Sequence, residues 1–128
     1  MDKKITATAA VLGMIAIILG AFGAHALKKV LTVEELTTFE TGVKYQMYHA
    51  LFLLFIGLTT FLSEKTKKGI SILTVAGIAL FSGSIYILAT KNISGIDIKA
   101  FGIVTPIGGL LLISAWFWLF LNLIRKKS

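Results

Sequence analysis

Residues 5 to 27 read ITATAAVLGMIAIILGAFGAHAL, a run of 23 residues that contains no Asp, Glu, Lys or Arg. Three more segments without such charges follow, at Tyr45–Ser63, Gly69–Thr90 and Ala100–Ile124. About 20 apolar residues suffice for a helix to cross the hydrocarbon core of a bilayer, so each segment is long enough to span a membrane. The sequence therefore predicts four transmembrane helices, with spans near 5–27, 45–63, 69–90 and 103–124.

Composition supports the same interpretation. Of the 128 residues 56% are hydrophobic and 15% are charged, against about 25% charged residues in ordinary soluble domains. A soluble enzyme and a disordered chain are excluded on this ground. The absence of cysteine also excludes a disulfide scaffold, a thiolate nucleophile and a cysteine metal site. We expect one all-α integral membrane domain over residues 1–128, with its helices in an antiparallel bundle.

The basic residues predict an orientation in the cell membrane. The N-terminus, the second loop and the C-terminus together carry eight Lys and Arg residues, whereas the first and third loops carry five. Because basic flanks tend to stay in the cytoplasm, both termini are expected there. Charges that flank helices in this way would lie on anionic lipid headgroups, so membrane lipids are expected partners and nucleic acid is not.

The first loop has the periodicity of an amphipathic helix. Leu27, Val30, Val33, Leu36, Phe39 and Val43 recur at intervals of three to four residues, which marks one apolar helix face. Thr32 with Glu35 forms a capping-box pattern that predicts a helix start at Val33. We expect an interfacial helix over about 33–44 that bends or runs into the second span near Gly42.

Thr105-Pro106 affects the fourth span. Threonine as N-cap followed by proline at the first helical position is a favoured helix start, so the sequence predicts a helix from Pro106 to Ile124. A proline kink inside a longer helix is the alternative.

Small residues recur in the predicted spans and are expected to pack helices together, because close backbone approach supplies dispersion contacts that lipid does not. The same faces predict association of the chain with further copies of itself. The expected packing positions are Gly13, Gly20, Gly23, Gly42, Gly83, Pro106, Gly108 and Gly109.

The two histidines are the main candidates for chemistry. His25 lies near the end of the first span and His49 near the start of the second, and a loop joins these ends, so we predict one polar cluster of His25, Tyr45 and His49, with Glu40 as a further candidate. Two imidazoles could hold a haem or, with Glu40, a divalent metal. Catalytic zinc needs three protein ligands. A structural hydrogen-bond network is therefore favoured, with no metal and no cofactor.

Four stretches together resemble the domain-of-unknown-function family 423: Gly20 to His25, Thr41 to Ala50, Phe81 to Ser84 and Thr105 to Gly109. The resemblance covers nearly the whole chain, with the motifs in family order. It implies a small integral membrane protein of about four helices, found in bacteria and with a mitochondrial relative in animals. It implies no reaction, and it assigns no role to the residues that match.

Three functional hypotheses follow. The first is a non-enzymatic membrane protein that acts through self-association and through contacts with lipid or other membrane proteins, since no catalytic set is found. The second is an oligomeric transporter or channel for a small solute or lipid, because four helices alone enclose no wide pore. The third is a haem or metal site at His25 and His49.

Overall fold

The computed structural model describes residues 1–95 and 99–125, and of residue 101 only the backbone. The described residues form helices and turns, with no β-strand among them, so the expected all-α class is confirmed. The elements are α1 (Lys3–His25), a 3-10 turn (Leu27–Lys29), α2 (Val33–Leu58), α3 (Glu64–Ala89), α4 (Lys91–Ser94) and α5 (Phe101–Arg125).

Helix α2 unites two segments that were predicted separately. It begins at Val33 with the predicted capping box: the Thr32 hydroxyl accepts from the Glu35 amide at 3.0 Å, and Glu35 Oε1 accepts from the Thr32 amide at 2.9 Å. It then continues through Gly42 to Leu58. A separate interfacial helix over 33–44 is therefore not formed, and of the two outcomes expected near Gly42 the helix runs into the second span. One interior glycine costs a helix only about 1 kcal/mol, too little to interrupt a helix that packs on its neighbours.

The capping carboxylate also connects α2 to α4. The Asn92 side-chain amide donates a hydrogen bond to Glu35 Oε2. The hydrogen bond from the Thr32 backbone, and then that from Asn92, lower the pKa of the Glu35 carboxyl. The ionised carboxylate therefore holds the start of α2 beside the turn that follows α3.

Helix α5 begins before its proline. It runs from Phe101 to Arg125 with Pro106 inside it, so the predicted start at Pro106 is wrong and the alternative of an internal proline is observed. Proline lacks the N–H that would bond to the carbonyl of Gly102, four residues earlier. Gly102 is exposed, which leaves this carbonyl at the surface of the protein.

The long helices pack antiparallel in chain order, α1 on α2, α2 on α3 and α3 on α5. Facing pairs show the register: Gly20 with Val43, Gly13 with Ala50, Gly42 with Tyr86, Gly57 with Lys67, Gly77 with Leu112 and Gly69 with Trp118. Consequently the start of α1, the end of α2, the start of α3 and the end of α5 lie together. We call this the terminal end of the molecule, since α1 begins there and α5 ends there.

Three apolar clusters hold the helices. At the terminal end one cluster joins α2, α3 and α5 through Phe52, Ile56, Ile70, Ala115 and Leu119. At the opposite end a second joins α1, α2 and α3 around Phe39 and Tyr86. The third joins α1 to α2 alone, through Ile5, Ala9 and Leu53. Within these clusters α1 therefore meets α3 only at the end away from the termini.

In the part of the chain that the structure describes, three helical stretches are long and apolar enough to cross a membrane: Lys3–Lys29, Glu64–Ala89 and Gly102–Arg125. Helix α2 is not among them. Its first half carries Glu34, Glu35 and Glu40, and polar residues such as Lys44, Gln46 and His49 interrupt the apolar stretch that follows. It nevertheless runs beside α1 over the length of that helix, and its second half contains no Asp, Glu, Lys or Arg.

Candidate functional site: the groove beside His49

A groove of about 340 Å³ lies where α2, α3 and α5 meet. We call it the His49 groove. Its walls are mostly aromatic and aliphatic, formed by Tyr45, His49, Phe81, Gly109, Leu112, Ile113 and Trp116. It brings together two of the predicted site residues, Tyr45 and His49, and adds Trp116 of α5.

His49 is buried, and both of its ring nitrogens have partners. Nδ1 lies 2.8 Å from the backbone carbonyl oxygen of Tyr45, and Nε2 lies 3.0 Å from the indole Nε1 of Trp116. Since the indole N–H can only donate, Nε2 must accept. The proton of the neutral ring is then on Nδ1 and is donated to the Tyr45 carbonyl. Neither nitrogen is left for a metal or for proton transfer.

Aromatic rings surround this hydrogen bond. The Phe52 and Trp116 ring centroids are 4.1 Å apart, and those of Tyr45 and Phe81 are 5.2 Å apart. Tyr45 and Trp116 remain 40% and 48% exposed, so the groove opens sideways from the bundle. Its lining suits contact with an apolar group.

His25 lies elsewhere. It is the last residue of α1 and is exposed. Since Gly13 contacts Ala50 and Gly20 contacts Val43, His49 lies at the same height in the bundle as Met14 of α1. Met14 is eleven residues away from His25 along that helix. At 1.5 Å per residue the two histidines are about 16 Å apart along the bundle. The predicted cluster of His25 with Tyr45 and His49 is therefore not formed, because His49 lies in the middle of the long α2 and not near its start.

At this separation His25 and His49 cannot bind the same haem or the same metal ion. Glu40 is exposed on the first half of α2, and His49 already has two hydrogen-bond partners. In the part of the chain that the structure describes, no group of three or more His, Asp or Glu residues could hold a metal ion.

A buried polar ladder was missed by the sequence analysis. Gln46 Nε2 donates to the Leu12 carbonyl oxygen of α1 at 2.8 Å, and Gln46 Oε1 accepts from the Tyr86 hydroxyl of α3 at 2.6 Å. Beside it, Ser82 donates to the Gly42 carbonyl at 2.8 Å. One side chain of α2 thus binds the helices on both sides. Its only sequence signal is a glutamine inside an apolar segment.

Lys67 is a second surprise, since flanking lysines are expected at the headgroups. Its side chain is 1% exposed, and its Nζ lies 3.4 Å from the Gly57 carbonyl oxygen. That carbonyl belongs to the last turn of α2 and also accepts from the Asp2 backbone amide at 2.8 Å. A helix carries partial negative charge at its C-terminus, which a cation stabilises. Lys67 therefore serves as a C-terminal cap supplied by the next helix.

The predicted packing glycines divide into two groups. Gly13, Gly20, Gly23, Gly42 and Gly108 lie against neighbouring helices of the same chain, and Gly109 lies against Phe81. A Cβ atom on Gly83 would meet nothing within 4 Å. Most of these glycines thus contact other helices of the same chain. They therefore give no support to association between copies of the chain.

The family match spans most of the chain. The model of the family described as "Protein of unknown function (DUF423)" matches residues 19–109. The UPF0382 membrane protein SSP2132 of Staphylococcus saprophyticus is 42% identical over 106 residues, covering 83% of this chain and 84% of that protein. No solved structure matches.

Two further relatives extend the comparison. The UPF0382 membrane protein YwdK of Bacillus subtilis is 41% identical over 112 residues, covering 84% of this chain and 85% of that protein. The UPF0382 inner membrane protein YgdD of Escherichia coli is 34% identical over 122 residues, covering 93% and 88%. The chain is accordingly a membrane protein that belongs to the DUF423 family, as the four motifs predicted.

Proposed function

We propose that this chain is a non-enzymatic membrane protein that acts through contacts of its helices within the bilayer, with lipid and with further copies of itself. The observation that carries the proposal is the open packing of the bundle. In the most apolar window of α1 only 17% of the residues are buried, and in that of α5 only 22%. Each of these outer helices leaves most of its surface to the membrane.

The buried polar groups support this proposal over catalysis or conduction. No buried side-chain nitrogen or oxygen of the described residues lacks a hydrogen-bond partner. His49 is bonded at both ring nitrogens, and Gln46 links two helices. Groups bonded in this way stabilise the helix contacts, and they leave little to line a water-filled path or to move a proton.

The same proposal includes four membrane crossings with both termini in the cytoplasm. The support for α2 as a crossing is its antiparallel contact with α1, which puts its uncharged second half at the depth of α1 residues 5 to 18. Lys44 would then reach the surface by extending its flexible side chain. The excess of basic residues near the termini favours the cytoplasmic side.

Self-association is tested most simply with introduced thiols, because the chain has no cysteine of its own. Met14 lies on the face of α1 turned away from α2 and is 55% exposed. Oxidation of Met14→Cys in membranes should give a disulfide-linked dimer. The matched control, Ala9→Cys on the buried face of the same helix, should give none, since Ala9 is 3% exposed.

The proposal has a clear failure. If Met14→Cys stays monomeric under oxidation, and the unmodified protein has a monomeric mass in lipid nanodiscs, self-association is excluded. Topology is tested separately with reporter fusions. A tag between Thr32 and Thr41 that remains protected on the cytoplasmic side would contradict the orientation.

A further inference from the structure

A second groove opens between α1 and α3 at the terminal end, where these two helices share no apolar cluster. It consists of two adjoining cavities of about 210 and 430 Å³, with Thr8, Ser71 and Val75 common to both. We call it the α1–α3 groove. Its remaining lining residues are Asp2, Lys4, Ile5, Leu53, Lys68, Ile72 and Ala76.

The charged lining lies at one end of this groove. Lys4 in the first turn of α1 and Lys68 in the second turn of α3 present two ammonium groups from two different helices. The nearby Asp2 carboxylate is engaged as the N-cap of α1, with Oδ1 accepting from the Ile5 amide at 3.1 Å. The mouth of the groove therefore has more positive than negative charge.

Beyond the lysines the groove offers no free hydroxyl proton from Thr8 or Ser71. The Thr8 hydroxyl donates to the Lys4 carbonyl at 2.8 Å, and the Ser71 hydroxyl donates to the Lys68 carbonyl at 2.9 Å. Both hydroxyl protons are thus used within their own helices. The surface that continues into the membrane consists mainly of aliphatic and methyl groups.

We propose that the α1–α3 groove binds one anionic phospholipid, with its phosphate at Lys4 and Lys68 and an acyl chain along Ile72, Val75 and Ala76. Two features support this assignment: the positive charges of Lys4 and Lys68 complement the negative phosphate, and they lie at the end of the groove where a headgroup would be. The cations are at the level of the helix ends, where headgroups lie, and the apolar part runs away from them toward the middle of the bilayer. A second copy of the chain would have to bring acidic groups to the mouth of the groove. The terminal end of the molecule is strongly basic, so two such ends would repel each other.

This inference rests on the proposed function only in taking lipid as a partner, and it does not require self-association. Native mass spectrometry of the full-length protein in mild detergent reports bound lipids and subunit number separately. The probes are phosphatidylglycerol and phosphatidylcholine with the same acyl chains. We expect one phosphatidylglycerol per protomer to bind more tightly than phosphatidylcholine.

Variants assign the binding to the groove. Each lysine near an anionic lipid surface is worth roughly fivefold in affinity, so Lys4→Gln with Lys68→Gln should weaken phosphatidylglycerol binding about 30-fold. The matched control is Lys65→Gln, which removes an exposed charge at the same end but not from the groove. Ala76→Phe, which fills the apolar part, should weaken both lipids while Lys4 and Lys68 remain.

Four results would overturn the proposal. They are equal binding of the two lipids, an equal loss in Lys65→Gln, displacement of the lipid by millimolar glycerol phosphate, and loss of dimers instead of lipid in Ala76→Phe. The third would indicate a site for the free phosphate group alone, and the fourth a contact between copies. A monomeric spectrum with one bound phosphatidylglycerol would support this site even if self-association fails.

Discussion

Glycines line two of the helix contacts, but they do so at different distances. On α1, a Cβ atom added to Gly13 would lie 3.8 Å from the Ala50 Cβ, and one added to Gly20 would lie 3.5 Å from Val43 Cγ1. Where α3 meets α5, a Cβ on Gly77 would lie 2.6 Å from Leu112 Cδ2, and one on Gly108 would lie 2.7 Å from the Leu80 carbonyl carbon. The first pair has room for a methyl group and the second does not.

The difference shows that glycine has two uses in this bundle. At Gly108 the backbones of α3 and α5 themselves come into contact, which permits dense packing without a hydrophobic effect between helices. At Gly13 and Gly20 side chains of α2 fill the space. The tighter contacts between these helices are at Gly57 against Thr6 and at Gly23 against Phe39. We therefore regard α3 and α5 as the more closely packed pair, and the stretch of α1 from Gly13 to Gly20 as more tolerant of an added methyl group.

The largest effect is expected from Gly108→Ala. The new methyl group would meet the Leu80 carbonyl carbon and the Phe81 nitrogen, and backbone cannot rotate away as a side chain can. We expect a loss of about 3 kcal/mol in the free energy of unfolding, measured by reversible unfolding in lipid–detergent micelles. Gly83→Ala is the matched control, because its methyl group would meet nothing within 4 Å.

Gln46→Leu should come next, since it removes the ladder that connects α1 to α3 through α2. The half-buried Tyr86 hydroxyl would lose its acceptor, and we expect a loss of about 1.5 kcal/mol. Adding Tyr86→Phe should recover part of this loss, because no orphaned hydroxyl then remains. A double variant that is as unstable as the sum of the two single variants would show that the ladder does not act as a pair.

His49→Ala should cost less, about 1 kcal/mol, because only its hydrogen bond to Trp116 connects two helices, while the bond to the Tyr45 carbonyl lies within α2. A double-mutant cycle with Trp116→Phe should show coupling between the two residues. His25→Ala should stay within about 0.5 kcal/mol of the unmodified protein, as for other exposed positions. Coupling between His25 and His49 would contradict the observed register.

Sequence patterns predicted much of this fold, for physical reasons. Charge-free segments of about 20 residues indicate α1, α3 and α5, and the Thr32–Glu35 pair indicates the start of α2. Local patterns left open whether the helix bends at Gly42 or runs into the second span, since the polar residues of its first half suggest a different environment. The continuation depends on packing against α1 and α3, which are distant in sequence.

The candidate site was less predictable. His49 and Tyr45 were identified because polar groups in an apolar segment need partners. The predicted partner of His49 is His25 of α1, whereas the observed partner is Trp116 of α5. The sequence pattern places the two histidines at one height, but they are eleven residues, or three helical turns, apart along the bundle. The buried Lys67 carries no local signal, since its position depends on the end of α2.

The smallest effect is expected from Gly13→Ala. Its methyl group would make ordinary contacts with Ala50 and with Met47 Sδ at 3.9 Å. Alanine also favours the helix over glycine by up to about 1 kcal/mol. The stability should therefore stay unchanged or rise slightly, as measured by the same unfolding assay.

The most direct test compares Gly108→Ala and Gly13→Ala side by side in the same lipid–detergent micelles. Both replace a glycine at a helix contact by the same methyl group, so the difference reports how closely the backbones approach. We predict that Gly108→Ala is less stable than Gly13→Ala by at least about 2 kcal/mol. Equal losses of unfolding free energy in the two variants, or a larger loss in Gly13→Ala, would contradict the account. They would show that the α3–α5 contact at Gly108 is no closer than the α1–α2 contact at Gly13.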